Sequence, residues 1–156
     1  MTLYLFLLAL LIGVVAGLRA MTAPAAVSWA AHLGALHLGG TWLAFLGNVV
    51  VAWVLTALAL GELITDQLPK TPSRKVPVQF GARIVSGALC GAAVGTAAGS
   101  WVIGLFVGAA GAVCGTLAGA EGRSRLAATF GKDRPAAFIE DAVAIGAGAG
   151  ILALVS

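Results

Sequence analysis

The chain has 156 residues, of which 60% are hydrophobic and only 10% are charged, and its mean hydropathy is +1.04. Soluble domains carry roughly 25% charged residues, so this polar surface is too small to cover a water-facing globule and lipid is the expected solvent. The net charge of +3 does not indicate nucleic-acid binding, because the cations fall in short segments between apolar runs. Composition therefore predicts a small polytopic membrane protein.

The apolar runs predict an all-α fold with six short transmembrane helices. The first run ends at Arg19, and Thr22 is the predicted cap of the helix that follows. This second segment contains Ser28, His32 and His37 and is only moderately apolar. Five spans plus a re-entrant or interfacial helix is therefore the alternative. The predicted segments are 3–18, 21–38, 41–63, 80–99, 101–120 and 135–156.

The whole chain, 1–156, is predicted to form a single transmembrane domain. Its first three-helix group covers 1–63, a cytoplasmic loop covers 64–80, and the second three-helix group covers 81–156. The boundary lies where two carboxylates, three prolines and several cations interrupt the apolar pattern.

Glycines recur at nearly regular intervals in two consecutive predicted helices. Small residues spaced by four let helix backbones approach closely, and in lipid van der Waals packing then drives association. The pattern predicts a glycine zipper, in which the two helices pack on each other or one of them pairs across a dimer interface. The glycines concerned are Gly87, Gly91, Gly95, Gly99, Gly104, Gly108, Gly111, Gly115 and Gly119.

Most charges lie in or beside two polar breaks, 62–75 and 121–141. Two spans separate the breaks, so both are expected on the same side of the membrane, and the positive-inside rule makes that side cytoplasmic. Glu62 and Asp66 end their helix, where the backbone dipole disfavours negative charge, so arginines from other span ends should compensate. The predicted charge cluster comprises Arg19, Glu62, Asp66, Arg74, Arg83, Arg123, Glu140 and Asp141.

Two interpretations of this cluster remain open. It is either a binding vestibule for an ion, an anionic headgroup or a coupling proton, or a salt-bridge layer that fixes helix ends without a ligand. His32 and His37 lie about 140° apart around a helix and do not converge on a metal. No catalytic residue, metal site or cofactor is predicted, and Cys90 and Cys114 are interpreted as small buried hydrophobes.

Three motifs resemble one family. GLRAMTAPA at 17–25, GELITDQLP at 61–69 and EDAVAI at 140–145 look like a bacterial family of small integral membrane proteins, catalogued as domain of unknown function 4126. The resemblance covers nearly the whole chain in the order of its motifs. It implies an inner-membrane location and supplies no activity.

Three functional hypotheses follow. The first is a small transporter or channel, expected to be a homodimer, for an ion or small polar solute. The second is a non-catalytic membrane module that binds an anionic lipid headgroup or a partner protein through its basic face. The third is a lipid-modifying enzyme that uses the cytoplasmic carboxylates, although no catalytic constellation is recognisable.

Overall fold

The structure is a computed structural model that describes residues 2–68 and 76–155, apart from the side chains at 133, 152 and 155. Within these ranges all regular structure is helical, so the all-α prediction is confirmed. The helices are α1 (Thr2–Leu18), α2 (Thr22–His32), a 3₁₀ helix (Trp42–Gly47), α3 (Val49–Thr65), α4 (Pro77–Ala97), α5 (Trp101–Phe130) and α6 (Asp133–Val155).

Helix length limits what can cross a membrane. Among the described residues, α4 and α5 are long and apolar enough to do so, with 21 and 30 residues, whereas α1 and α3 are apolar but have 17 residues each. The 11 residues of α2 extend about 16 Å, roughly half of the hydrocarbon thickness. Six full-length spans are therefore not confirmed, and the number of spans stays a prediction.

Three predicted helix boundaries are wrong. The helix of the predicted segment 21–38 ends at His32. The segment 41–63 begins with the 3₁₀ helix, and α3 starts only after Asn48, whose side chain accepts a hydrogen bond from Val50 N at 2.8 Å. Helix α5 continues ten residues beyond the predicted end at 120 and stops before Gly131, which has φ 67°. The added turns contain Glu121, Arg123 and Arg125, so charged residues continue this helix.

Three helices, α1, α4 and α5, form a closely packed centre in which each helix contacts the other two. A Cβ atom built on Gly91 would lie 2.7 Å from Gly108 Cα, and one on Gly13 would lie 2.9 Å from the same atom. Backbones of three helices thus approach one another around Gly108. Helix α4 runs antiparallel to α5, whereas α1 runs parallel to it, so this centre draws on both of the predicted three-helix groups.

Gly99 does not belong to this packing, contrary to the prediction. It lies in the turn after α4 with φ 85°, and a Cβ atom there would meet nothing within 4 Å. Gly99 allows the chain to reverse direction in this turn, because glycine adopts a positive φ without a steric penalty. Gly119 is half-buried on α5.

The remaining helices differ in which neighbours they contact. Helix α3 packs on α2, where Trp29 Nε1 donates to Thr56 Oγ1 at 2.9 Å, and only Ala52 and Ala59 of α3 are buried. Helix α6 contacts α1, α2 and α5. Because α3 stands away from α4, a cavity separates the two helices. The C-terminal ends of α1 and α3 and the first turns of α4 lie at one end of the molecule.

Candidate functional site

Between α1 and α2 the chain is not helical for three residues, 19–21, and this helix break is largely inside the protein. Arg19 and Ala20 are buried, and Met21 is partly exposed. Pro24, in the first turn of α2, has no amide proton to donate to Ala20 O and would clash with that carbonyl in a continuous helix, so the local sequence favours an interruption here. A buried irregular backbone needs hydrogen-bond partners for its amides and carbonyls, and here side chains from other helices supply them.

Side chains of two other helices contact the C-terminal end of α1. They are Arg83 of α4 and Thr116 of α5. Arg83 Nη1 donates to Gly17 O at 2.8 Å and to Leu18 O at 2.6 Å. Thr116 Oγ1 lies 3.2 Å from Gly17 O and 2.8 Å from Ala112 O, so these two carbonyls share its one proton. The positive guanidinium lies where the helix dipole is negative, so the electrostatic interaction is favourable. The carbonyls of Gly17 and Leu18 therefore have hydrogen-bond partners although α1 ends inside the protein.

Glu62 and Ser86 complete the hydrogen bonds of the break. Glu62 Oε1 accepts from Ala20 N at 2.8 Å and Glu62 Oε2 accepts from Met21 N at 2.9 Å, while Ser86 Oγ donates to Ala20 O. Arg83 Nη2 lies 3.7 Å from Glu62 Oε1. Glu62 is thus at the unfavourable end of its own helix but at the favourable, N-terminal end of α2.

The sequence predicts Thr22 as the cap of the second helix, and this prediction is wrong. Thr22 is already in the first turn of α2, after Met21 as the N-cap residue, which makes no side-chain cap. The Thr22 hydroxyl is buried and has no hydrogen-bond partner within the described part of the chain. The acceptor comes instead from Glu62, forty residues further along the sequence.

Arg19 connects the break to α6 and to the residue that follows α3. Its guanidinium is fully buried, and Nη1 donates to Asp66 Oδ2 while Nη2 donates to Asp141 Oδ1. Gln67 Nε2 donates to Asp141 Oδ2 at 3.3 Å. Charge-assisted hydrogen bonds offset the cost of removing these three charges from water.

Arg123 extends this arrangement to α5. Its Nη1 lies 4.0 Å from Glu140 Oε2, and its Nη2 donates to the backbone oxygen of Asp66 at 3.3 Å. The structure therefore brings together seven of the eight predicted residues, and Arg74 lies outside the described residues. We call these seven the charged cluster: Arg19, Glu62, Asp66, Arg83, Arg123, Glu140 and Asp141. Three guanidiniums face four carboxylates, which leaves one formal negative charge.

Three participating residues were missed from the sequence: Gln67, Ser86 and Thr116. Ser86 lies three residues after Arg83 and so on the same face of α4, which was an available signal. Thr116 is an isolated hydroxyl in a glycine-rich helix, and its partner Gly17 O could not be identified without the fold.

A cavity of about 720 Å³ lies between α3 and α4 and reaches the break. Most of its wall is apolar, and its charged groups are Glu62, Asp66 and Arg83. The wall comprises Ala20, Met21, Ala57, Leu58, Gly61, Glu62, Thr65, Asp66, Leu68, Gln79, Ala82 and Arg83. The site therefore combines a layer of paired charges with an open path to two of its carboxylates. Among the residues described, no three His, Cys, Asp or Glu side chains are placed to hold a metal.

Replacing Glu62 with alanine is expected to lower the free energy of unfolding by about 1–2 kcal/mol, because two amides of the break lose their acceptor. Chemical denaturation in detergent measures this loss. The matched control is Glu121→Ala, whose exposed partner is Arg125 at 2.7 Å; exposed pairs are worth about 0–1 kcal/mol. Equal losses in the two variants would contradict the capping role.

Fold and site define a small all-helical protein in which buried arginine–carboxylate pairs and side-chain caps hold a broken helix. The chain belongs to the family described as Domain of unknown function (DUF4126), whose family model matches residues 6–155. The resemblance of the three motifs is thereby confirmed over nearly the whole chain. No curated protein and no solved structure matches this chain.

Proposed function

We propose that this protein is an integral protein of the bacterial inner membrane that transports an ion or small polar solute. In this proposal the charged cluster is a vestibule on the cytoplasmic side. Large apolar side chains on the outside of three helices support a lipid environment: Trp53 is 62% exposed, Val85 68% and Phe106 69%. Exposing such surface to water costs about 25 cal/mol per Å², whereas in lipid this cost is absent.

The helix break is the second support. Membrane-embedded irregular backbone is tolerated where it is buried in protein or lines a cavity, and discontinuous helices build the solute and ion sites of many transporters. Here the break is flanked by Glu62 at the start of α2 and by Arg83 at the end of α1. Both groups interact with backbone, so a solute that approaches them competes with defined hydrogen bonds.

One observation carries the proposal: the cavity connects the outside of the helices to the break and to Glu62 and Asp66. A purely structural layer of salt bridges needs no such access. The carboxylates that the cavity reaches also bond to the break and to Arg19. Binding there would therefore be coupled to the packing of α2 and α3 against α1.

The proposed topology has six crossings, with the charged end in the cytoplasm. Trp42 of the 3₁₀ helix contacts Trp101 edge-on, with ring centroids 5.6 Å apart. Trp101 begins α5, at the end of that helix opposite the break. The short helix α2 together with residues 33–48 would then cross the membrane, and α3 would return. At the cytoplasmic end, Arg125, Lys132 and Arg134 are exposed cations that fit the positive-inside rule.

Flux in proteoliposomes tests this function. Native protein is expected to move at least one solute from a panel of protons, alkali cations, small anions and small amines faster than protein-free vesicles do. Glu62→Gln is expected to lower that flux by about tenfold or more, which corresponds to about 1.4 kcal/mol, while Glu121→Gln leaves it unchanged. Background flux for every solute in the panel would contradict transport.

The alternative is a non-transporting membrane module that binds an anionic lipid headgroup or a partner protein. The exposed cations at the turn after α5 favour it, since each contributes about 1 kcal/mol of attraction to an anionic surface. Retention of one anionic lipid in native mass spectrometry, together with background flux, would favour this alternative. The homodimer stays a prediction that the same mass measurement tests.

A further inference from the structure

The gap between α3 and α4 is maintained by polar contacts that tie α3 to other parts of the fold. On α2, Trp29 Nε1 donates to Thr56 Oγ1 at 2.9 Å. At the C-terminal end of α3, Glu62 accepts two amides of the break, and Asp66 pairs with Arg19. Moving α3 towards α4 would break these contacts, most of which involve a charged group and are correspondingly strong. The cavity of about 720 Å³ is therefore a built feature of the fold.

Water is a poor filling for most of this cavity. At about 30 Å³ for each water molecule, the volume of about 720 Å³ would take about two dozen waters. Each ordered water needs about two to four polar partners, whereas most of the wall is apolar. Ala57, Leu58 and Gly61 of α3 and Ala82 of α4 belong to this apolar part. The natural occupant is therefore a molecule that is apolar over most of its length.

Polarity changes along the cavity in the direction of α3. Ala57 and Leu58 line the part towards the middle of that helix, whereas Thr65 and Gln79 line the end at which α3 finishes and α4 begins. Between Ala57 and Thr65 the helix rises about 12 Å, and one leaflet supplies half of a hydrocarbon core of about 30 Å. The Gln79 amide can donate to an ester oxygen. In length and polarity the cavity thus matches one acyl chain with its ester end beside Gln79.

The bilayer itself can supply this chain. Exposed apolar side chains continue from the cavity onto the outside of both helices, with Leu58 and Ile64 on α3 and Val78 and Val85 on α4. We propose that one acyl chain of a bilayer phospholipid occupies the α3–α4 cavity and completes the wall between these helices. The chain is what the cavity recognises, so both zwitterionic and anionic headgroups are accepted. This inference rests on the membrane location in the proposed function and does not require transport.

Lipid retention tests the proposal in protein reconstituted into vesicles of equal amounts of phosphatidylcholine and phosphatidylglycerol with the same acyl chains. After extraction into detergent, native mass spectrometry counts the lipids that stay bound. We expect one retained phospholipid per protein chain, with the two headgroups retained to within about threefold of each other. Retention of phosphatidylglycerol alone would overturn recognition of the chain, and protein without any retained lipid would overturn the site.

The position of the site is tested by filling the cavity without changing its charges. Gly61 lines the cavity, and a Cβ atom there would meet nothing within 4 Å, so Gly61→Leu inserts a side chain without a backbone clash. We expect the fraction of protein that retains a phospholipid to fall by about tenfold or more in this variant. Gly122→Leu is the matched control, because Gly122 is outside the cavity and is equally unobstructed. If Gly61→Leu fails to fold, Ala57→Phe fills the same space.

Native retention in the cavity-filling variants would overturn the proposed site. Solute flux in the same proteoliposomes separates this inference from transport itself. Retained lipid without any solute flux would leave the acyl-chain site standing and reject the transporter. Solute flux without retained lipid would reject the acyl-chain site and leave the transporter standing. Release of the native protein from vesicles by alkaline carbonate would reject the membrane location and, with it, both proposals.

Discussion

Replacing Arg19 with methionine is expected to lower the free energy of unfolding by about 3–5 kcal/mol, because removing one member of a buried ion pair leaves its partners uncompensated. Arg19 is fully buried, and its two partners, Asp66 and Asp141, are each 8% exposed. Methionine preserves much of the apolar stem and supplies no donor. Two carboxylates that share one guanidinium would then face each other inside the protein. Denaturant unfolding in detergent, followed by tryptophan fluorescence, measures the effect.

Two further variants separate the ion pairs from the loss of a side chain. Arg125→Met removes an arginine of the same size from an exposed pair with Glu121 and is expected to change stability by less than about 1 kcal/mol. Combining Arg19→Met with Asp66→Asn and Asp141→Asn removes the uncompensated charges and should recover part of the loss. If the triple variant is no more stable than Arg19→Met, the cost does not come from buried charge.

The grouping of these charges was predictable because topology limits where they can lie. Charged residues avoid hydrocarbon, and the two polar breaks are separated by two apolar segments. They therefore return to the same end of the molecule whatever the details of packing. Arg19, at the end of the first apolar run, joins that end once the second segment returns to it.

The partner of each charge was not predictable, because partners depend on the rotation and register of whole helices. The sequence suggests that Glu62 needs an arginine, yet its two oxygens accept backbone amides of the break and Arg83 lies further away. Nothing near Ala20 or Met21 in the chain shows that an acceptor arrives from the end of α3. The same reason explains why Thr22, the nearest local acceptor, was a wrong prediction for the cap.

The glycine spacing predicts which face of α5 is packed but not which helices pack on it. In α5, Gly104 and Gly108 face α4, whereas Gly111 and Gly115 face Leu10 and Val14 of α1. The step from 108 to 111 is three residues instead of four, and at about 100° per residue it places Gly111 only about 20° from Gly104 around the helix. The four glycines therefore share one face of α5, and α4 and α1 contact it at successive turns.

Gly108 is where these two interfaces meet, so its substitution gives the second large effect. Gly108→Leu is expected to lower the free energy of unfolding by about 3 kcal/mol or more, because overpacking usually costs about 1–3 kcal/mol and here the obstacle is backbone. A Cβ atom on Gly108 would lie 2.7 Å from Gly91 Cα, and α1 approaches the same residue through Gly13. Neither neighbouring helix can move away without losing its contacts with the other glycines.

Gly122→Leu makes the same substitution on the same helix and is expected to act with the opposite sign. Gly122 has nothing within 4 Å of a built Cβ atom, and leucine is favoured over glycine in a helix by about 0.7–1 kcal/mol. Denaturant unfolding of both variants in one detergent therefore compares a steric cost with a propensity gain. Destabilisation by both substitutions to a similar degree would mean that helix α5 itself, and not its contact with α4 and α1, responds to the leucine. A loss confined to Gly108→Leu would show that backbone contact between these three helices stabilises the centre on which the helix break is built.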